Sequence, residues 1–209
     1  MGFQVKRHTN IIITAILILA AAIGILIFAM ASSPKRGAEE YIIAMQKRDF
    51  DAIYELNYEA QKKVQLILRE STERHEEQLK ANYLAEKDAF EKIKPDADIS
   101  SHWSERFLFI PEMKYTIIKE EEEVERTPSA PFRPRRTVSV YVKIEYASKA
   151  SAPLIPQRFN ADMEKEKIKT AAYQIKMVQS EEVIKGIRPE KGERKWLFKG
   201  TNIIEAAPF

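Results

Sequence analysis

The chain has no cysteine among its 209 residues, which removes disulfides, thiolate metal sites and thiol nucleophiles from consideration together. Histidine is almost as scarce. Of the three, His8 precedes a long apolar run, so only His75 and His102 could bring an imidazole that titrates near neutral pH to the remainder of the chain. There is no His-x-x-x-His pair, no Gly-rich phosphate loop, no defensible Ser-His-Asp order, and no carboxylate pair whose spacing demands acid–base chemistry. Neither a cofactor nor a metal is expected. A one-signed charge is also missing: apart from Lys6 and Arg7, all 34 basic residues follow residue 31, as do all 31 acidic ones. That part of the chain is nearly neutral and lacks the basic field that holds nucleic acid.

What the sequence does have is IIITAILILAAAIGILIFAMA, from Ile11 to Ala31, with no charge, amide or proline. About 20 apolar residues cross the hydrocarbon core as a helix, so this run predicts a single span through membrane lipid. The competing reading is a cleaved secretory signal. Ala29-Met30-Ala31 before Ser32 fits a small-residue cleavage pattern, but the run exceeds the usual apolar length of such signals. Lys6 and Arg7 on one side are matched by Lys35 and Arg36 on the other, so charge does not set the orientation. A short tail, one span and a large C-terminal domain predict the tail in the cytoplasm and the domain outside it. In a bacterial cell, that means the inner membrane and its periplasmic side.

The expected organisation is a tail at 1–10, a span at 11–31, a polar linker at 32–37 and one domain at 38–209, with helices over about 38–94 and strands over about 105–205. Ala38, Tyr41, Ile42 and Met45 have helical spacing, as do Phe50, Ile53 and Tyr54, with Asp49 placed to cap the second helix. Glu59 to Lys94 continues helical, though ESTERHEE at 70–77 interrupts its apolar stripe. Strands are expected at Met113–Glu125, Thr137–Tyr146, Lys169–Gln179, Glu182–Ile187 and Arg194–Ile204, with PEKGE at 189–193 as a hairpin turn. Val138, Val140, Val142, Ile144 and Tyr146 alternate with more polar neighbours, so this strand should bury one face.

Helices first and antiparallel strands last, opened by AEEYIIAMQKRDFDAIYEL, resemble the NTF2-like superfamily. The features that carry the likeness are the two helices, Ala38 to Met45 and Asp51 to Leu56, joined at the polar corner Lys47-Arg48-Asp49-Phe50. The resemblance implies an α+β cone, with helices packed on a curved antiparallel sheet. The stretch from Glu59 to Lys94 is longer than the usual third helix, which points to an insertion or extension. Single-span proteins with such a domain include VirB8-like envelope subunits, whose Asn-Pro-x-Gly motif this chain lacks.

Two groups of residues stand out as candidate sites. His75, His102 and Trp103 could line a pocket at the mouth of the cone. Glu121, Glu123 and Glu125 stand against Arg133, Arg135 and Arg136 across a Pro-rich turn, and they form either a self-neutralised hairpin or an arm for a partner or lipid headgroups. Trp196 and Phe198 share a strand face and are expected in the core. The reading is a non-enzymatic binding or assembly module with a protein partner in a membrane complex. The alternatives are a small-substrate enzyme or apolar-ligand binder at the cone mouth, and a spacer that forms a homo-oligomer through its sheet.

Overall fold

The structure is a computed structural model that describes residues 33–69, 74–94, 103–125, 135–155, 166–185 and 188–209. The expected span at 11–31 lies outside the described residues. Among the described residues, no helix is long and apolar enough to cross a membrane.

The described chain is α+β. Four helices come first: α1 (Pro34–Lys47), α2 (Phe50–Leu56), α3 (Tyr58–Arg69) and α4 (His75–Lys92). A short 3-10 turn at Ser104–Phe107 leads into four strands, β1 (Met113–Glu125), β2 (Arg135–Tyr146), β3 (Ile168–Lys185) and β4 (Arg188–Pro208). They form one antiparallel sheet in the order β1-β2-β3-β4.

Helix α1 begins at Pro34, so part of the expected linker at 32–37 is helical. The reason is local. Ser33 has extended backbone geometry and its side chain accepts from Arg36 N–H, while Pro34 stands where a helix needs no amide donor. Gly37 then lies against the sheet so closely that a Cβ there would be 2.7 Å from Trp196 Cβ and 3.1 Å from Met177 Cε. At its other end α1 closes on Arg48, which takes a left-handed φ of 57° and bonds back to Ala44 O and Met45 O. Gln46 Nε2 there donates to Ile110 O and to Met113 O at 3.1 Å. Helix α1 thus lies on the sheet from the β3–β4 side near Trp196 to the start of β1.

Asp49 caps α2 as expected, accepting from Ala52 N–H at 3.2 Å. Asn57 caps α3 and pairs in parallel with Phe198, tying the helices to the free edge of β4. The interrupted stretch from Glu59 to Lys94 consists of two helices, α3 and α4, held side by side by an ion pair between Lys63 and Glu86.

The strands differ from expectation in two places. The segment expected as a strand at 169–179 and residues 182–185 of the one expected at 182–187 belong to one strand, β3, which shifts register between Ser180 and Glu182; residues 186–187 lie outside the described residues. The proposed turn at 189–193 lies within β4, where Glu190 pairs with Val183 and Lys191 with Glu182. A bulge resets the apolar alternation, so the sequence pattern breaks where the strand does not.

Trp196 and Phe198 are buried, and so is Leu197 on the opposite face. On β2, Val138, Val140, Val142, Ile144 and Tyr146 face the core as expected, yet Thr137 and Ser139 on the other face are buried as well.

Candidate functional site

The expected charged hairpin forms, with β1 pairing β2 from Met113↔Tyr146 to Glu125↔Arg135. Its charges are sorted differently from a simple facing pair. A bulge leaves Ile118 out of the register, so Ile117 pairs with Val142 while Lys119 pairs with Tyr141. Since side chains alternate faces, the extra residue sends Glu121 and Glu123 to the face away from the helices and leaves Glu120 and Glu122 on the helix side.

The outer face carries two neighbouring polar clusters, one around Glu123 and one around Glu121. Glu123 Oε1 accepts from Ser139 Oγ at 2.8 Å and Gln174 Nε2 at 3.3 Å, and Lys176 lies 3.8 Å from Oε2. Gln174 also donates to Ser139 Oγ at 2.8 Å, which satisfies a hydroxyl that is fully buried. Tyr141 donates to Glu121 at 2.7 Å, and Lys119 pairs with Glu121 while covering the Tyr141 ring. Arg136 belongs to the other face, where it holds Glu122 through two bonds of 2.8 and 3.2 Å. The structure therefore places Glu121 and Glu123 on one face, each in its own cluster, and separates Arg136 from both. Glu125 and Arg135 are opposite each other in the ladder. Arg133 lies outside the described residues.

Of the candidate group His75, His102 and Trp103, the described residues include only the first and the last. His75 starts α4, and His102 lies outside the described residues. Trp103 is fully buried rather than on a rim. Its ring packs among Phe50 and Phe90, each at 5.7 Å between centroids, and its Nε1 donates to Glu86 at 2.9 Å. Glu86 is itself buried and takes a second bond, of 2.5 Å, from half-exposed Lys63. Its position was readable: Leu79, Tyr83, Glu86 and Phe90 follow helical spacing, so a carboxylate occupies the apolar stripe of α4.

Aromatic side chains fill the space between helices and sheet. Tyr41 stacks on Phe198 at 3.8 Å, and Phe109 meets both rings edge-on. The Tyr146 and Tyr173 hydroxyls are 3.0 Å apart, and Tyr146 also bonds Leu108 O. Burial raises the pKa of both tyrosines, that of Tyr173 to about 12.

One buried group stands apart. Glu105, in the 3-10 turn, is only 8% exposed, and its Oε2 has no hydrogen-bond partner. Burial raises its pKa to about 7, against the opposing pull of hydrogen bonds from its own backbone, Ser104 and the Thr201 backbone. Its charge in turn helps burial to hold the Tyr41 phenol protonated. Nothing in the sequence marks Glu105, because its burial comes from contacts with distant elements.

An open cleft of about 340 Å³ lies between α1 and α2. Ile43, Ala44, Ala52 and Leu56 contribute its apolar lining, while Glu55 and Lys195, 3.8 Å apart, stand at its side. Among the described residues no group of three or more metal-ligating side chains comes together.

No family model, no curated protein and no solved structure matches the chain.

Proposed function

We propose that the chain is a single-pass membrane protein in which residues 11–31 hold an NTF2-like domain outside the cytoplasm, and that this domain is a non-enzymatic binding or assembly module of an envelope complex. The observation that carries this reading is the packed interior. The space where a cone-shaped fold would receive a small substrate is taken up by Tyr41, Phe109, Tyr146, Tyr173 and Phe198. Polar organisation lies instead on the outer face of the sheet, around Glu121 and Glu123. The short connection from the apolar run to Ser33, the cap of α1, supports a domain held close to its anchor.

Purification of the tagged full-length chain from its native membranes in mild detergent tests the proposal. Stoichiometric protein partners, lost when Glu121 and Glu123 are both changed to Lys, are the expected result. A chain that resists extraction at alkaline pH but purifies alone would count against the assembly role.

Glu105 supports a second reading, a binder or enzyme for a small ligand. A carboxyl that titrates at about 7 and has one oxygen unpartnered can donate or accept a proton near neutral pH. This reading requires an opening beside Tyr41. A ligand that protects the domain against heat in the native chain but not in Glu105→Gln would favour it.

A further inference from the structure

The direction of α1 on the sheet fixes which end of the domain the apolar run must leave from. Gly37, in the first turn of α1, touches Trp196 and Met177. Gln46, in its last turn, bonds to Ile110 and to Met113, the first residue of β1. Along the strands, Trp196 pairs with Gln179 and Met177 with Val138, toward the hairpin ends, whereas Met113 pairs with Tyr146 at the opposite end. The chain before Pro34 therefore joins the domain at the end of the sheet that carries the β1–β2 and β3–β4 hairpin tips.

Only Ser32 and Ser33 separate Ala31 from Pro34, a connection that reaches about 10 Å when fully extended. Ser33 is further committed as the cap of α1, with ψ at 148°. From the Gln179↔Trp196 pair the β3–β4 ladder continues to Lys185↔Arg188. Six more residues of β3 carry it ~20 Å past the first turn of α1. The headgroup layer is roughly 5–8 Å deep on each side of the bilayer. A hairpin of that length pointed straight at the membrane would enter the hydrocarbon, and its paired positions include Lys185, Arg188, Glu190 and Lys191. Charged residues exclude that arrangement.

We infer that the β3–β4 hairpin lies along the membrane surface among the lipid headgroups and so fixes the tilt of the domain on its anchor. The inference rests on the anchor proposed above and on the position of α1, and it names the lipid surface as the partner of this end of the sheet. The opposite end, with the Ser148–Ala152 turn, is held away from the bilayer.

The absence of cysteine makes the test direct. Full-length chains carrying Lys191→Cys or Arg188→Cys at the hairpin, or Lys149→Cys at the far end, are labelled with a fluorophore. They are reconstituted into phosphatidylcholine and phosphatidylglycerol vesicles containing lipid with a nitroxide on its headgroup. The expected result is several-fold stronger quenching at residues 188 and 191 than at 149. Equal quenching at both ends, or stronger quenching at 149, from a chain that resists alkaline extraction would overturn the placement of the hairpin and leave the anchor standing. A chain stripped from the vesicles at alkaline pH would overturn the anchor and the inference together.

Discussion

The Trp103 indole donates to Glu86 Oε2 at 2.9 Å, and the other oxygen of the same carboxylate accepts from Lys63. One side chain on α4 thus ties down both α3 and the turn that leads into the sheet. Replacing Glu86 with Ala removes the acceptor of both donors and should cost about 2–4 kcal/mol. Lys63 is half exposed, so Lys63→Ala should cost less than about 1 kcal/mol. Urea unfolding followed by tryptophan fluorescence would measure both, and equal effects would show that the bond to Trp103 contributes little.

Gly37→Ala tests the approach of α1 to the sheet. Alanine favours a helix by up to about 1 kcal/mol over glycine. The new methyl would meet Trp196 Cβ at 2.7 Å, at the rigid base of a buried side chain. Overpacking of that kind costs about 1–3 kcal/mol, so the expected net effect is a lower unfolding midpoint. A rise in the midpoint would mean that α1 stands off the strands.

Glu105 gives a pH signature. Its carboxyl titrates near 4.3 in the unfolded chain and at about 7 when folded. Between those values the folded state binds more protons, so stability falls as pH rises through this window and levels off above it. Burial is nearly complete, and the difference corresponds to up to ~4 kcal/mol. Glu105→Gln should flatten the slope between pH 5 and 7, whatever it does to stability at a single pH. Thermal melts across that range provide the measurement, and parallel profiles for the two proteins would refute a neutral buried carboxyl.

Deleting Ile118 tests the bulge. Without the extra residue, β1 must either shift its pairing or turn residues 119–125 over, which would carry Glu121 and Glu123 away from Ser139, Tyr141 and Gln174. The midpoint of unfolding should fall by about 5 °C or more. Ile118 is 59% exposed, so Ile118→Thr, which keeps the residue count, should leave the midpoint almost unchanged. Equal losses in the two variants would assign the effect to the side chain rather than to the register.

The local features were readable from sequence because they depend on a few neighbouring residues. Asp49 caps α2, Met113–Glu125 is a strand with the boundaries expected, and alternation along β2 marks its core face. The order of helices before strands follows from the change of period from 3.6 to 2. Tertiary structure alone decided the rest. A bulge at Ile118 and another after Ser180 change which face each residue occupies without a clear mark in composition. Trp103 and Glu105 are buried by elements far away in the chain, and α1 takes its direction on the sheet from Gly37 meeting Trp196. The sequence by itself determined the order of helices before strands, the apolar run and the scarcity of reactive side chains, since propensity and periodicity act over one or two turns. Register, burial of charge and the end of the sheet from which the chain leaves came only from packing, because those depend on contacts between residues many positions apart.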